Sequence, residues 1–144
     1  MIGVKIETKP VKLMRFDDVG DYNFEIASKG HSGNNVILKI YVAEMGNEKY
    51  EFLVALHEFI ESYLLYLRGA DFQGIDEWEN QFTKETRKGL RPENAIAGEQ
   101  EDCPYKDEHR LAIEVEKMVA KYLGVNWEEY EKYLDELIKN KRSD

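Results

Sequence analysis

A single cysteine, Cys103, rules out an internal disulfide and any zinc module built on several thiolates. Basic residues are scarce too: 20 Lys and Arg against 29 Asp and Glu leave a net charge of −9. That balance repels nucleic acid and anionic membranes, and leaves a basic protein partner open. No apolar run approaches a membrane span, and MIGVKIETKPVKL alternates apolar and charged residues instead of forming a secretory block. A cytoplasmic protein is expected. What is present is ordinary for a folded chain of 144 residues: 42% hydrophobic, with nine tyrosines and six phenylalanines. That suffices for one domain with a real core.

The first 45 residues read as mainly β. IGVKIET, DYNFEI and NVILKIYVAE alternate with period two, and Pro10 keeps the first from continuing as a central strand. ASKGHSGNN between the last two suits a long hairpin loop, with His31 solvated in it. Residues 46–138 read as mainly α. A helix is expected from about Glu48 to Arg68, stopped by Gly69. Asp76 with Glu79 three residues on has the form of a capping box starting a second helix. RPENAIAGEQEDCP is a loop. A third helix spans Tyr105 to Leu123 and closes at Gly124, and Asn126 caps a fourth at Trp127. Residues 139–144 are expected to fray. The order is α+β: about three strands, then three to four helices.

Two helices carry polar pairs inside apolar stripes. On a wheel of ~100° per residue, Glu61 lies about 40° from His57, with Leu53, Ile60 and Leu64 beside them. Glu58 is rotated by about 100°, towards the edge of that arc. On the third helix Glu116 falls about 20° from His109, on the face of Tyr105, Ala112, Ile113 and Ala120. A lone buried carboxylate is costly, so such groups pair, protonate or bind metal. Both a divalent metal site and a metal-free network of His–Glu hydrogen bonds satisfy that requirement.

The metal reading has a definite form. In H-E-x-x-H, two histidines one turn apart hold zinc and the glutamate between them is a general base. Here His57-Glu58-Phe59-Ile60-Glu61 keeps the spacing with a glutamate in the second ligand position. His57, Glu61 and His109 are the candidate ligands, Glu58 the candidate base, and Asp76 and Glu116 candidate outer supports or alternative ligands. Zinc is the first expectation. The added carboxylate hardens the site, so manganese or iron also suits it. Cys103 has no catalytic base nearby in sequence.

VGDYNFE, MGNEKYEFLVALHEFIES, GIDEWENQF, GEQEDCPYKDEHR and GVNWEEYEKYL resemble a family of small uncharacterised bacteriophage and prophage proteins. The likeness runs through most of the chain from Val19. In that family an H-E-x-x-E helix matches His57, Glu58 and Glu61. An aspartate matches Asp76, a G-E…D…P-Y…H segment matches Gly98 to His109, and a glutamate matches Glu116. Gly98-Glu99-Gln100 departs from it, since the family often has proline after the glutamate. The strand-to-helix unit from Val36 to Arg68 is also similar to small zincin-like metallopeptidases. Together these imply a phage-encoded, metal-dependent hydrolase of peptide or amide bonds, working in the host cytoplasm. The alternative is a non-enzymatic phage accessory protein with a structural polar core or structural metal.

Overall fold

The computed structural model describes residues 1–30 and 33–143. Three strands come first: β1 (Gly3–Lys9), β2 (Gly20–Gly30) and β3 (Gly33–Ala43). Four helices follow: α1 (Glu48–Leu67), α2 (Phe72–Arg87), α3 (Lys106–Tyr122) and α4 (Trp127–Ser143), with short 3-10 turns at Val11–Leu13 and Ala97–Glu99. The architecture is α+β, as the element order in the sequence implies. Among the described residues no helix is long and apolar enough to cross a membrane.

The most apolar strand takes the centre of the sheet. β3 pairs parallel with β1 and antiparallel with β2. Leu38, Ile40 and Val42 alternate onto the helix-facing side and are fully buried. In register beside them stand Phe24 and Tyr22 of β2. Val4 and Ile6 of β1 share that face but stay exposed, because α1 lies over β3 and β2. Leu53 and Val54 of α1 close the core from above, Tyr130 of α4 enters it with no exposed surface, and Leu65 packs in a second cluster with Ile75, Cys103 and Tyr105.

Three expectations need correction. The long hairpin loop is instead a continuing ladder, paired as far as Gly30 and Gly33 with one irregularity between Ile26 and Ser28. Period-two pairing persists through polar residues because the main chain, not the side chains, carries it. His31 lies outside the described residues. The second helix starts earlier than Asp76: Asp71 is the N-cap, accepting from the Gly74 N–H at 3.0 Å. Gly74 looks like a breaker, yet a Cβ there would lie 2.5 Å from the Asp71 carboxylate, so glycine is what lets the cap close. The tail is also ordered. α4 runs to Ser143 because Lys141 is buried and donates to the Met14 carbonyl at 2.7 Å and to that of Phe16. Arg142 adds a bond to the Glu93 carbonyl at 2.6 Å.

Other boundaries agree with the local signals. Asn47 caps α1 through Tyr50 N, and Asn126 Oδ1 caps α4 through Glu129 N at 3.0 Å. Gly69 and Gly124 follow α1 and α3 with φ of +71°, a left-handed conformation that glycine adopts at little cost.

Candidate metal centre

Helices α1 and α3 pack side by side, and their polar pairs meet at the contact. The pairing is crossed between helices. His57 Nδ1 bonds Glu116 Oε1 of α3 at 2.8 Å, while His57 Nε2 bonds Glu61 Oε2 one turn along α1 at 3.0 Å. Glu61 Oε2 also receives His109 Nδ1 at 3.2 Å. Glu116 is held from its other side by the Tyr130 hydroxyl of α4, which donates to Oε2 at 2.6 Å. His57, Glu61 and Glu116 are buried, and His109 is largely so.

One nitrogen of each histidine and a Glu61 oxygen lie within 4.8 Å of one another, a span that suits three ligands of one ion. Glu116 then occupies the place that metal-ligating histidines usually give to an outer carboxylate. It fixes the His57 ring, and Nε2, which bonds Glu61 in this structure, is the nitrogen that would face a cation. His109 Nε2 is buried without a hydrogen-bond partner. Gly98, in the second 3-10 turn, lies against the His109 ring so closely that a Cβ would come within 2.2 Å of it.

The electrostatics follow from burial and close pairing. Burial opposes protonation of His57, but Glu116 and Glu61 outweigh it and hold its pKa well above the ordinary 6.5. Burial would raise Glu61, yet bonds from His109 and His57 keep it below the usual carboxylate range. Burial, then the Glu61 charge, push Glu58 well above 4.5. Among the described residues no donor reaches the Glu58 carboxylate. Its side chain lies under Gly20, where any Cβ would collide with it at 2.5 Å.

These groups line a cavity of about 270 Å³. Asp76 is on its wall, but its carboxylate accepts from Arg15 at 3.1 Å and is partly exposed. Arg15 also grips Asp21 with two bonds, at 2.7 and 2.9 Å. Asp76 therefore joins the cavity as part of an ion-pair wall and not as a member of the three-donor group. Cys103 is buried away from that group, and burial pushes its thiol up to about 12.

Sequence reasoning missed several cavity residues. Asp18 and Glu79 both line it, and Glu79 accepts from the Tyr105 hydroxyl. Burial raises the Glu79 carboxyl to about 8 against that hydrogen bond. Tyr130 gave no signal beyond its helical position. Gly20 and Gly98 each stand where a side chain would strike a site residue, a fact no spacing rule reveals.

Compared with family models, curated proteins and solved structures, the chain matches none.

Proposed function

We propose that the protein binds one divalent metal ion through His57, Glu61 and His109 and is a metal-dependent hydrolase of peptide or amide bonds, zincin-like in its site. The observation that carries this reading is the convergence of three donors within 4.8 Å, with Glu116 behind His57. Zinc is the first choice of ion, with manganese or iron as alternatives that a carboxylate-containing set accommodates. A cation held there would supply Lewis acidity and make water a better nucleophile near neutral pH.

The chain's own residues supply the rest. His57, Glu61 and His109 would hold the ion with three protein donors, and the 270 Å³ cavity gives a substrate room beside them. Glu58 shares that cavity, free of any donor, and can accept the proton that an attacking water loses. Glu116, itself held by Tyr130, keeps the His57 ring in one orientation. The likeness to phage proteins supports a phage-encoded enzyme acting on a peptide or host protein in the host cytoplasm.

A second reading rests on the same bonds. At 2.8, 3.0 and 3.2 Å the histidines and glutamates already satisfy one another, as a structural polar core of an interaction protein would. Metal content separates the two. Untagged protein is expected to retain close to one equivalent of zinc, lost in His57→Ala. Glu58→Gln is expected to keep the metal and lose roughly 10²-fold or more in amide hydrolysis. A metal-free chain that cannot be loaded with zinc, manganese or iron would leave only the structural reading.

A further inference from the structure

The titratable side chains of the cavity beside the three-donor group are mostly acids. Among the described residues ten acidic side chains line it, against Arg15 and Lys117 as the permanently basic ones. Arg15 is already engaged by Asp21 and Asp76. Lys117 is exposed, and its ammonium stands over the Trp127 ring at 5.5 Å. Glu61 and Glu116 are matched by the histidines or by a metal. Among the described residues Asp18, Glu58 and Glu79 form no ion pair with Lys or Arg, and only the histidines lend them positive charge.

These three carboxylates sit differently from surface acids. Asp18 uses Oδ1 to accept the Val19 N–H at 2.7 Å, and Glu79 uses Oε1 for the Tyr105 hydroxyl. One oxygen of each is left over. Glu58 is 8% exposed, faces the same cavity, and has neither oxygen engaged by a donor. A buried carboxylate without a donor normally loses free energy unless a ligand supplies one. The charges are also felt mutually: Asp18 disfavours ionisation of both Glu58 and Glu79.

A second metal ion is the poorer match. Among the described residues only His57, Glu61 and His109 gather three donor atoms closely enough for one ion. Acids spread along a wall that also carries Tyr22, Ile75 and Ile96 suit a longer cation with an apolar stem.

We infer that the cavity recognises its substrate through an alkylammonium group, held by the free oxygens of Asp18 and Glu79 while its apolar stem lies against Tyr22, Ile75 and Ile96. This deepens the hydrolase reading and rests on it. The preferred substrate carries a protonated amine near the bond to be cut, either a peptide's α-amine or a lysine-type side chain. Glu58 remains beside the metal ligands as the base.

The test uses the full untagged chain, with and without one equivalent of zinc, titrated by NMR. Alanyl-alanine amide offers an α-ammonium, and N-acetyl-lysine amide offers only the side-chain ammonium. Their uncharged counterparts are N-acetyl-alanyl-alanine amide and N-acetyl-norleucine amide. One of the cationic probes is expected to bind at least roughly tenfold more tightly than its counterpart, as a charge-assisted hydrogen bond implies. Which one does so identifies the source of the amine. Asp18→Asn keeps an oxygen for the Val19 N–H and is expected to erase that preference without changing zinc content. Glu79→Gln gives a second, independent loss if Asp18→Asn fails to fold. Equal binding of charged and neutral probes would overturn the inference, as would a preference that survives both variants. So would uptake of a second zinc equivalent that Asp18→Asn abolishes. Zinc uptake without charge preference removes this inference alone, whereas charge preference without zinc uptake removes the hydrolase reading alone.

Discussion

Helix α1 looks into two interiors of opposite character. Towards the sheet, Leu53 and Val54 meet Leu38, Ile40 and Val42 with almost no exposed surface. Towards α3 and the cavity, the same helix buries His57, Glu58 and Glu61. The first region gains stability from area removed from water. The second gains little, because each ionisable group gives up hydration that its partner must restore. A helix that spends half its buried face this way concentrates function in one region and stability in the other.

The largest expected effect breaks the apolar region. Leu53→Ala should cost about 2–5 kcal/mol of stability by denaturant titration, through lost burial and a residual cavity. Zinc stoichiometry in the folded fraction should be unchanged. Loss of the metal with this variant would mean that the two regions are not separable.

The next effect is confined to the polar region and depends on pH. Glu79 holds its proton to about pH 8 in the folded protein, against 4.5 in the unfolded chain. Between those values the folded state binds a proton that the unfolded state has released. Stability from this group is therefore full below 4.5 and is lost as pH rises to about 8, by a few kcal/mol at most. Urea midpoints of the wild type should fall over that window. Glu79→Gln should flatten the fall, and Leu53→Ala should not.

Gly98→Ala sharpens the comparison further. The added methyl meets the His109 ring, so zinc affinity is expected to drop roughly tenfold or more, while the sheet-side core is untouched. Competition with a chromophoric chelator reads this directly, and unchanged affinity would mean that the 3-10 turn yields instead of the ring. The smallest effect is at the surface. Asn126→Ala removes the cap of α4 and should cost about 1 kcal/mol, with no change in metal content.

Much of this was legible locally. Alternation in NVILKIYVAE marks the central strand, and wheel positions put His57 with Glu61, and His109 with Glu116, on apolar faces. The caps at Asn47 and Asn126 and the stops at Gly69 and Gly124 are short-range signals, and they hold because their partners lie within a few residues. The signal at Asp76 misled for the same reason. The cap is Asp71, which sequence reasoning missed, and the packed structure gives Asp76 to Arg15, 61 residues away in sequence.

The sequence by itself determined the α+β order, the burial of two His–Glu pairs and the acidity of the whole. Tertiary structure alone decided that Glu116 serves His57 across 59 residues, that Glu61 reaches His109 across 48, and that Tyr130 anchors the set. It also brought Asp18 and Glu79 to one cavity and laid Gly98 on His109. Periodicity specifies which face of a helix turns inward, because that depends on rise and twist per residue. Which partner that face meets depends on how whole helices pack, and no local repeat encodes it.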